Sequence, residues 1–338
     1  HRDLHSFPTR RSSDLLILNF QNCFSKVITD YFYTLTSDLK YGNFINDKEL
    51  FIVGSDGYVI YSSDKGNTWK RKLTYTFETL NQFTFQKESQ TLFIVGSNGI
   101  FLKSTDKGDS FEIIKLGVNS NLNSISFENN FGIIVGDSGK VFLSNDYGNT
   151  WTQENYLTKN NIYKCIIYKN RLFFSDNKNI IYVKSINDTE WTILNKNEEI
   201  TKKSAPVKIL GYEDNLYILG NDFLLRLNIT LTKWSNLQLT PSNILRDMEI
   251  TDSNEITVYS MNIVNNNQFF KETFLDLTNF NIKANDILPD FEIKMYLSSA
   301  TVLNDVFVSP DFSIIFAIGN QNTIAKKYSN KKEWEILS

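Results

Sequence analysis

A repeated segment constrains the fold of this chain more than any other feature of its sequence. Three segments align along their whole length, at 51–69, 93–111 and 132–151. Each has an apolar strand ending in glycine, a turn with a second glycine, an alternating strand, and a box of the form Ser-x-Asp-x-Gly-x-Thr/Ser-Trp/Phe. Because such a repeat is one unit that cannot bury its own apolar face, the sequence favours one large repeat fold over two ordinary domains.

The aromatic residue that ends each box carries the period through the rest of the chain. All five tryptophans occupy this position or its equivalent, and Phe111 and Phe274 occupy the second and sixth positions. The seven anchors are therefore residues 69, 111, 151, 191, 234, 274 and 334, separated by 40 to 43 residues except for a last step of 60. This period is the length of a unit of four short strands.

Within each unit, short apolar runs bounded by Gly, Asn and Asp predict β-strands joined by tight turns. In the first unit we expect strands near 43–46, 49–54, 58–62 and 68–74. Four strands at this period are typical of a propeller blade. The sequence therefore predicts an all-β fold, a single seven-bladed β-propeller with four antiparallel strands per blade.

The box is expected to form the turn between the third and fourth strands of a blade. Its aspartate can accept hydrogen bonds from turn amides, its glycine can adopt positive φ, and its aromatic can pack between blades. A motif repeated in several blades cannot be a single active site, so a structural role is favoured over metal binding or acid catalysis. The predicted structural residues are Ser62, Asp64, Gly66, Thr68, Trp69, Ser104, Asp106, Gly108, Ser110, Phe111, Ser144, Asp146, Gly148, Thr150 and Trp151.

The first fourteen residues, His1 to Asp14, do not belong to the repeat. They read codon by codon as a translated sequencing adapter, and the next adapter bases would supply Leu15, so we exclude 1–15 as non-native. We expect residues 16–38 to be either the remnant of a signal peptide or an extra strand, and 39–338 to form the propeller. The apolar run at 15–20 gives only a weak indication of export, and the compartment is left open.

Composition excludes several classes of function. Without the adapter the chain has no histidine and its formal charge changes from -3 to -4, because three arginines and two aspartates are removed. The four remaining arginines are scattered and form no basic stripe, so nucleic acid is not expected as a partner. The absence of histidine excludes Ser-His and Cys-His catalysis and His-ligated zinc. We expect no cofactor, no metal, no transmembrane segment and a monomeric protein.

At the residues of the repeat the chain resembles Asp-box, or bacterial neuraminidase repeat, propellers. In particular it resembles the photosystem II assembly/stability factor family, whose blades carry the pattern G-x-x-G-x-[IV]-x-x-[ST]-x-D-x-G-x-[ST]-W. The motifs are specific across 43–151, and the tryptophan spacing extends them to 338. The resemblance implies a propeller fold, and photosystem assembly is not carried over from it. The arginine-rich patch associated with that family has no counterpart here, and a fold alone does not set function.

Two functions are carried forward, and enzymatic activity is left open with a preference against it. The first is a non-catalytic scaffold that binds a protein, or a glycan, through one propeller face. The candidate face is formed by turns between second and third strands, with Asp56, Asn98 and Asp137, although plain hairpin turns are the alternative interpretation. The last step also predicts about twenty extra residues near 276–303, either functional or an extra strand pair, including Asp286, Pro289, Asp290 and Phe291.

The second function is a glycoside hydrolase. Sialidases share the box but need an arginine cluster, and only Arg246 lies on a predicted inner strand, so sialidase chemistry is disfavoured. The inner-strand acids Asp247 and Asp305 have no visible partner motif. Two carboxylates roughly 5–10 Å apart in a deep pocket would favour this hydrolase alternative.

Overall fold

The computed structural model describes residues 37–154, 157–194, 204–230, 233–237, 244–252, 255–264, 267–276, 281–282, 302–331 and 333–337. In these ranges every regular element is a β-strand, apart from two short 3-10 turns at Ser97–Gly99 and Asp137–Gly139. Nowhere in the same ranges is there a helix long and apolar enough to cross a membrane. The extra residues predicted near 276–303, including Asp286, Pro289, Asp290 and Phe291, lie almost entirely outside the described residues.

The strands form four-stranded antiparallel sheets, each made of four strands consecutive in the chain. Sheet 1 contains β1 (Leu39–Phe44), β2 (Leu50–Gly54), β3 (Val59–Ser62) and β4 (Lys70–Lys72), and sheet 2 contains β5 (Leu80–Gln86), β6 (Thr91–Gly96), β7 (Phe101–Ser104) and β8 (Glu112–Ile113). Sheet 3 contains β9 (Leu122–Glu128), β10 (Phe131–Gly136), β11 (Val141–Ser144) and β12 (Thr152–Gln153), and sheet 4 contains β13 (Ile162–Tyr168), β14 (Arg171–Asp176), β15 (Ile181–Ser185) and β16 (Thr192–Ile193).

The remaining strands continue the same order. Sheet 5 contains β17 (Pro206–Tyr212), β18 (Asn215–Gly220), β19 (Leu224–Asn228) and β20 (Lys233–Leu237). Sheet 6 contains β21 (Ile244–Asp252), β22 (Glu255–Val264), β23 (Asn267–Asp276) and β24 (Asn281–Ile282), and sheet 7 contains β25 (Leu303–Val308), β26 (Ile314–Gly319), β27 (Ile324–Tyr328) and β28 (Glu335–Ile336). The prediction of an all-β propeller with four-stranded antiparallel sheets is therefore confirmed.

The core lies between neighbouring sheets. Second strands such as β2, β6 and β26 are buried along their whole length, because a neighbouring sheet covers each of their two faces. The first strand of each sheet contacts the first strand of the next, and β25 contacts β1, so the array closes on itself. Closure places the sequence-distant residues Phe307 and Phe316 in one apolar cluster with Ile52.

The prediction of seven equivalent blades is wrong. Six sheets place an aromatic of the repeat immediately before or within the fourth strand: Trp69, Phe111, Trp151, Trp191, Trp234 and Trp334. Phe274, the predicted sixth anchor, instead lies in β23, the third strand of sheet 6, where its backbone pairs with Thr257. The blades built on the repeat number six, not seven, and sheet 6 is a divergent four-stranded sheet.

Sheet 6 also differs in the size of its strands. Its first three strands have 9, 10 and 10 residues, whereas the corresponding strands of sheet 1 have 6, 5 and 4. Spacing alone misled the prediction, because an aromatic in a long third strand can fall on the same period as a box aromatic.

The turn at Asp137–Gly139 provides a test of the packing between sheets 3 and 4. Gly139 has φ +70°, and a Cβ there would lie 1.8 Å from the carbonyl oxygen of Thr158. Gly117 has φ +74°, yet a Cβ there would meet no atom within 4 Å. The two glycines therefore share the backbone conformation but differ in their surroundings.

We expect Gly117→Ala to lower the free energy of unfolding by about 1 kcal/mol, from left-handed strain alone. Gly139→Ala should cost about 2–3 kcal/mol, because a main-chain carbonyl must also move. Urea unfolding of both variants measures the difference. Equal losses in the two variants would show that the close approach at Gly139 is not required.

Candidate binding face and central channel

The first strand of every sheet carries a β-bulge near its start. The register shifts between Leu39 and Tyr41 in sheet 1, and at the equivalent place in the six other sheets. A bulge leaves one extra residue unpaired and turns it away from the ladder. The bulged residues are Lys40, Asn81, Asn123, Tyr163, Val207, Arg246 and Asn304.

These bulged residues surround a central cavity of about 320 Å³. All seven line it, together with Lys164, Pro206, Asp247, Leu303 and Asp305. The cavity is thus built from every first strand, at the end where the chain enters each sheet. In the sequence, the pair Leu-Asn recurs at three of these positions, 80–81, 122–123 and 303–304. The box repeat does not include this pair, so the box spacing does not predict the ring.

Three bulge asparagines connect each sheet to the next around the channel. The side-chain amides of Asn81, Asn123 and Asn304 donate to main-chain carbonyl oxygens at 2.9, 2.9 and 2.7 Å. The acceptors are the carbonyls of Leu122, Ile162 and Leu39, which begin the first strands of the following sheets. The bond from Asn304 to Leu39 closes the ring between sheets 7 and 1.

The residues after the bulge add a second set of links. The side-chain oxygens of Ser124, Asp247 and Asp305 accept hydrogen bonds from main-chain N–H groups of the next sheet. The donors are Cys165, Val306 and Gly42, at 3.2, 2.5 and 2.8 Å. Asp247 and Asp305, considered at first as catalytic candidates, therefore hold sheets 6, 7 and 1 together.

A buried charge cluster lies on the same strands. The Lys208 ammonium is 2.9 Å from Asp247 and 3.8 Å from Asp305, and it also contacts Glu249. The side chains of Asp247 and Asp305 are only 2% and 8% exposed. The sequence shows no partner motif for these two acids, because their partner is a lysine of sheet 5 that shares no motif with them.

Burial and mutual repulsion shift the titration of this cluster. Burial raises the pKa of Glu249 to about 7, against the opposing effect of Lys208. Burial, followed by the nearby charge of Asp247, raises the pKa of Asp305 well above its ordinary value. Desolvation raises the pKa of Tyr41, on the first strand of sheet 1, to about 12. The protonated forms of Glu249 and Asp305 are thus favoured beside the neighbouring carboxyl of Asp247.

The turns predicted as a binding face surround the mouth of this cavity. The turns after β2, β6 and β10 bond to the residues that lead into the first strands, with Ser55, Ser97 and Asp137 donating main-chain N–H groups to carbonyl oxygens. The carboxylate of Asp137 accepts from the amides of Asn121 and Asn123, both at 2.8 Å. We call this side, with the turns at 55–57, 97–99 and 137–139, the channel-mouth face.

Asp56 and Asn98 lie at the tips of two of these turns with φ of +56° and +52°. Asp56 accepts from the Ser55 hydroxyl, and the Asn98 amide donates to Glu78 at 2.8 Å. In the third turn the left-handed residue is Ser138, one position after Asp137. The three predicted residues therefore share a face, although Asp137 is tied into the channel wall.

The boxes lie at the opposite ends of the strands. In the first box Asp64 accepts from the Ser62 hydroxyl at 2.8 Å and from the Thr68 hydroxyl at 2.6 Å, and the Gly66 N–H donates to Ser62 at 2.8 Å. The second and third boxes repeat these bonds through Asp106 and Asp146. In this geometry the carboxylates are occupied by their own turns.

Hydrogen bonding also fixes the charge of the box aspartates. The Thr68 hydroxyl lowers the pKa of Asp64 to about 2, and the Ser110 hydroxyl does the same for Asp106. At Asp146 burial opposes the shift, but the bonds from Thr150 and Ser144 still lower the pKa. Among the residues that the structure describes, no group of three or more His, Cys, Asp or Glu could hold a metal ion.

Comparison with known proteins identifies the family. The family described as photosynthesis system II assembly factor YCF48 matches residues 76–336, which is more than half of the chain. The chain belongs to the YCF48 family. The resemblance stated from the repeat is thereby confirmed, and the match includes the divergent sheet 6 of this YCF48-family protein.

Solved structures similar to this YCF48-family chain share its fold at low sequence identity. A structure described as YCF48 bound to D1 peptide is 14% identical, with a TM-score of 0.63, and the alignment covers 88% of this chain and 95% of that one. YCF48 from Cyanidioschyzon merolae is 13% identical, with a TM-score of 0.63 and coverage of 88% and 98%. The WD40 propeller domain of Doa1 is 11% identical, with a TM-score of 0.64 and coverage of 88% and 94%. No curated protein matches the chain.

Exposed apolar side chains are concentrated beside one of the predicted turns. On the connection between β4 and β5, Leu73, Tyr75 and Phe77 are 50%, 88% and 70% exposed. The connection is fixed on the channel-mouth face, because the Thr74 hydroxyl donates to the carbonyl of Gly57 at 2.9 Å. We call residues 73–77 the aromatic loop. Residue spacing did not single it out, since it lies between the repeat motifs.

Proposed function

We propose that this YCF48-family protein is a non-catalytic scaffold that binds an extended protein segment across its channel-mouth face. The observation that carries the proposal is the aromatic loop, with Tyr75 88% and Phe77 70% exposed beside the turn at 55–57. Large aromatics supply much of the binding energy of protein interfaces, and adjacent exposed apolar side chains mark interaction sites.

The polar surroundings of the loop support a peptide ligand. Asp56 and Asn98 lie at turn tips next to the loop, where their side chains can bond to the main chain of an extended segment. Beyond them the face leads into the central cavity with its ring of polar side chains. Apolar anchors with a polar rim are the usual composition of a protein interface.

The family supports a protein ligand rather than a glycan. The chain matches an assembly-factor family, and one similar structure is described as YCF48 bound to D1 peptide. That description concerns the other protein, but it shows that a propeller of this family accommodates a peptide.

The hydrolase alternative finds no support in the carboxylates of the channel. Asp247 and Asp305 contact the same lysine and accept main-chain N–H groups of neighbouring strands. A glycosidase needs carboxyl groups that are free to transfer a proton or attack a sugar. These two carboxyls are occupied by the structure of the ring.

A pair of tyrosines on opposite faces gives a direct test. Tyr75 and Tyr147 both have left-handed backbones, with φ of +55° and +61°, and both are exposed. Tyr147 lies in the third box, on the face opposite to the aromatic loop.

Peptides that bind the full chain would be selected from a random library that also contains the D1 peptide. Fluorescence polarisation then measures the affinity of each selected peptide for the chain and its variants.

Tyr75→Ser should weaken binding by about tenfold or more, because it removes an aromatic anchor. Tyr147→Ser should leave the affinity unchanged within about twofold. If the library contains no peptide that binds, or if Tyr147→Ser has the larger effect, the assignment of the channel-mouth face is wrong.

A further inference from the structure

Two cations, Lys164 and Arg246, face the central cavity. Lys164 of β13 and Arg246 of β21 both line it, and neither makes a hydrogen bond or an ion pair with its side chain within the described part of the chain. The Nε atom of Arg246 is fully buried. A buried, unpaired cation is costly, and such groups are normally compensated by an anion.

The acids of the channel are hydrogen-bonded to other groups, and the charges of Asp305 and Asp247 act on Lys164 without a direct ion pair. Asp247 uses one oxygen for Lys208 and for the N–H of Met248, and its other oxygen for the N–H of Val306. Asp305 accepts from the N–H of Gly42 and faces Lys208. Their oxygens are directed to the ring itself, so the donor groups of Lys164 and Arg246 remain available to a ligand.

Other groups around the cavity favour an anion as well. Lys40 also lines it, and among the described residues it pairs with the partly exposed Asp38 at 3.5 Å. The amides of Asn81 and Asn304 each donate one hydrogen bond to the next sheet, which leaves a second N–H on each. The cavity of about 320 Å³ lies at the small end of the range for small-molecule sites.

We propose that the central cavity binds a carboxylate-bearing anion, an organic di- or tricarboxylate, through Arg246 and Lys164. The guanidinium can hold a carboxylate with two parallel hydrogen bonds, while the ammonium acts as a point charge. This site goes beyond the proposed function and does not depend on the aromatic loop. The same carboxylate could be supplied by an acidic side chain of a bound protein segment, and the experiment separates these sources.

The pKa shifts of Lys164 and Arg246 are consistent with an anion site. Burial lowers the pKa of Lys164, against the opposing effect of the Asp305 charge, and burial also lowers the pKa of Arg246. A bound carboxylate reverses this effect by favouring the charged form of each cation. Binding is therefore accompanied by proton uptake above the lowered pKa of Lys164, which calorimetry in buffers of different ionisation enthalpy detects.

The test is isothermal titration of the full chain with citrate at constant ionic strength, with sulfate as the reference anion. We expect saturable binding of citrate at one site, weakened about tenfold or more in Arg246→Gln and in Lys164→Gln. The exposed Lys159, which lies on the same face outside the cavity, provides the control variant Lys159→Gln with unchanged affinity. Tyr75→Ser should also leave citrate binding unchanged, so the two proposals fail separately.

Arg246 is partly buried and has no ion pair in the described part of the chain, so its replacement should not destabilise the fold, and thermal unfolding of Arg246→Gln is expected at or above the temperature of the unmodified chain. If that variant does not fold, Lys164→Gln decides the result. Citrate affinity unchanged in both variants would overturn the proposal.

If citrate does not bind, the peptides selected for the channel-mouth face decide the source of the carboxylate. Glu→Gln or Asp→Asn replacement in such a peptide should weaken its binding about tenfold when Arg246 is present, but not in Arg246→Gln. That result assigns the carboxylate to the protein segment. Absence of both effects also overturns the proposal.

Discussion

Replacement of Lys208 by methionine is expected to lower the free energy of unfolding by about 3–5 kcal/mol at neutral pH, as for other buried ion pairs that lose one partner. Lys208 is the ammonium shared by Asp247, Glu249 and Asp305, and its side chain is only 16% exposed. Without it, three buried carboxyls would lie together at the junction of sheets 5, 6 and 7. Methionine keeps the length and apolar character of the side chain, so the loss reports mainly on charge.

The effect should depend on pH with a definite sign. In the native protein the pKa of Glu249 is raised to about 7 and that of Asp305 is raised well above its ordinary value. A raised acid pKa means that the folded state binds more protons than the unfolded state does. The free energy of unfolding therefore falls as pH rises towards and through that pKa. Without Lys208 the pKa values of these acids rise further, so the deficit of Lys208→Met should increase as the pH passes through about 7, between about pH 6 and about pH 8.

Urea unfolding across this pH range measures the deficit. The matched control is Lys169→Met, because Lys169 forms a 2.6 Å ion pair with Asp214 at the surface, where the side chains are 47% and 60% exposed. An exposed pair of this kind contributes little to stability, because solvent and salt screen its charges. A deficit at Lys208 no larger than that at Lys169, or one that shrinks as pH rises, would show that the channel cluster is not held by its charges.

Replacement of Phe93 by alanine should cost about 3–5 kcal/mol, as large-to-small changes in a rigid core usually do. Phe93 lies in β6 and is completely buried. Its ring stacks on Phe127 of sheet 3 at 5.1 Å and meets the box residue Trp151 at 6.5 Å. The ring therefore packs sheet 2 against sheet 3. Its removal leaves a cavity between them, because the closed ring of sheets prevents these two from moving together.

Thermal or urea unfolding measures this loss, with Phe312→Ala as the control. Phe312 is 39% exposed and lies on the turn before β26. Truncation there should change the free energy of unfolding by about 1 kcal/mol or less. Comparable losses at the two positions would mean that the interface between sheets 2 and 3 contributes little to stability.

Much of the fold could be predicted from the sequence because its signals are local. The box turns are closed by residues two to four positions apart, such as the Ser62, Asp64 and Thr68 hydrogen bonds. Strands with alternating or continuous apolar residues follow from the same short-range pattern. The family resemblance, which depends on these motifs, was therefore correct. The exception was sheet 6, where a repeat read only from the spacing of Phe274 was wrong.

The central channel could not be predicted in this way. Its seven bulged positions hold lysine, asparagine, tyrosine, valine and arginine, so they share a place but not a residue type. Lys208, Asp247 and Asp305 come from three different sheets and meet only because the first strands converge on one axis.

The sequence by itself determined the strands, the box turns and their repetition, since hydrogen bonds between near neighbours depend only on local residue order. Tertiary structure alone decided which polar side chains share the cavity, which cations face it, and that the aromatic loop lies beside the mouth. Those arrangements result from ring closure, which brings together residues that are distant in the chain. The types of these residues follow no periodic pattern in the sequence.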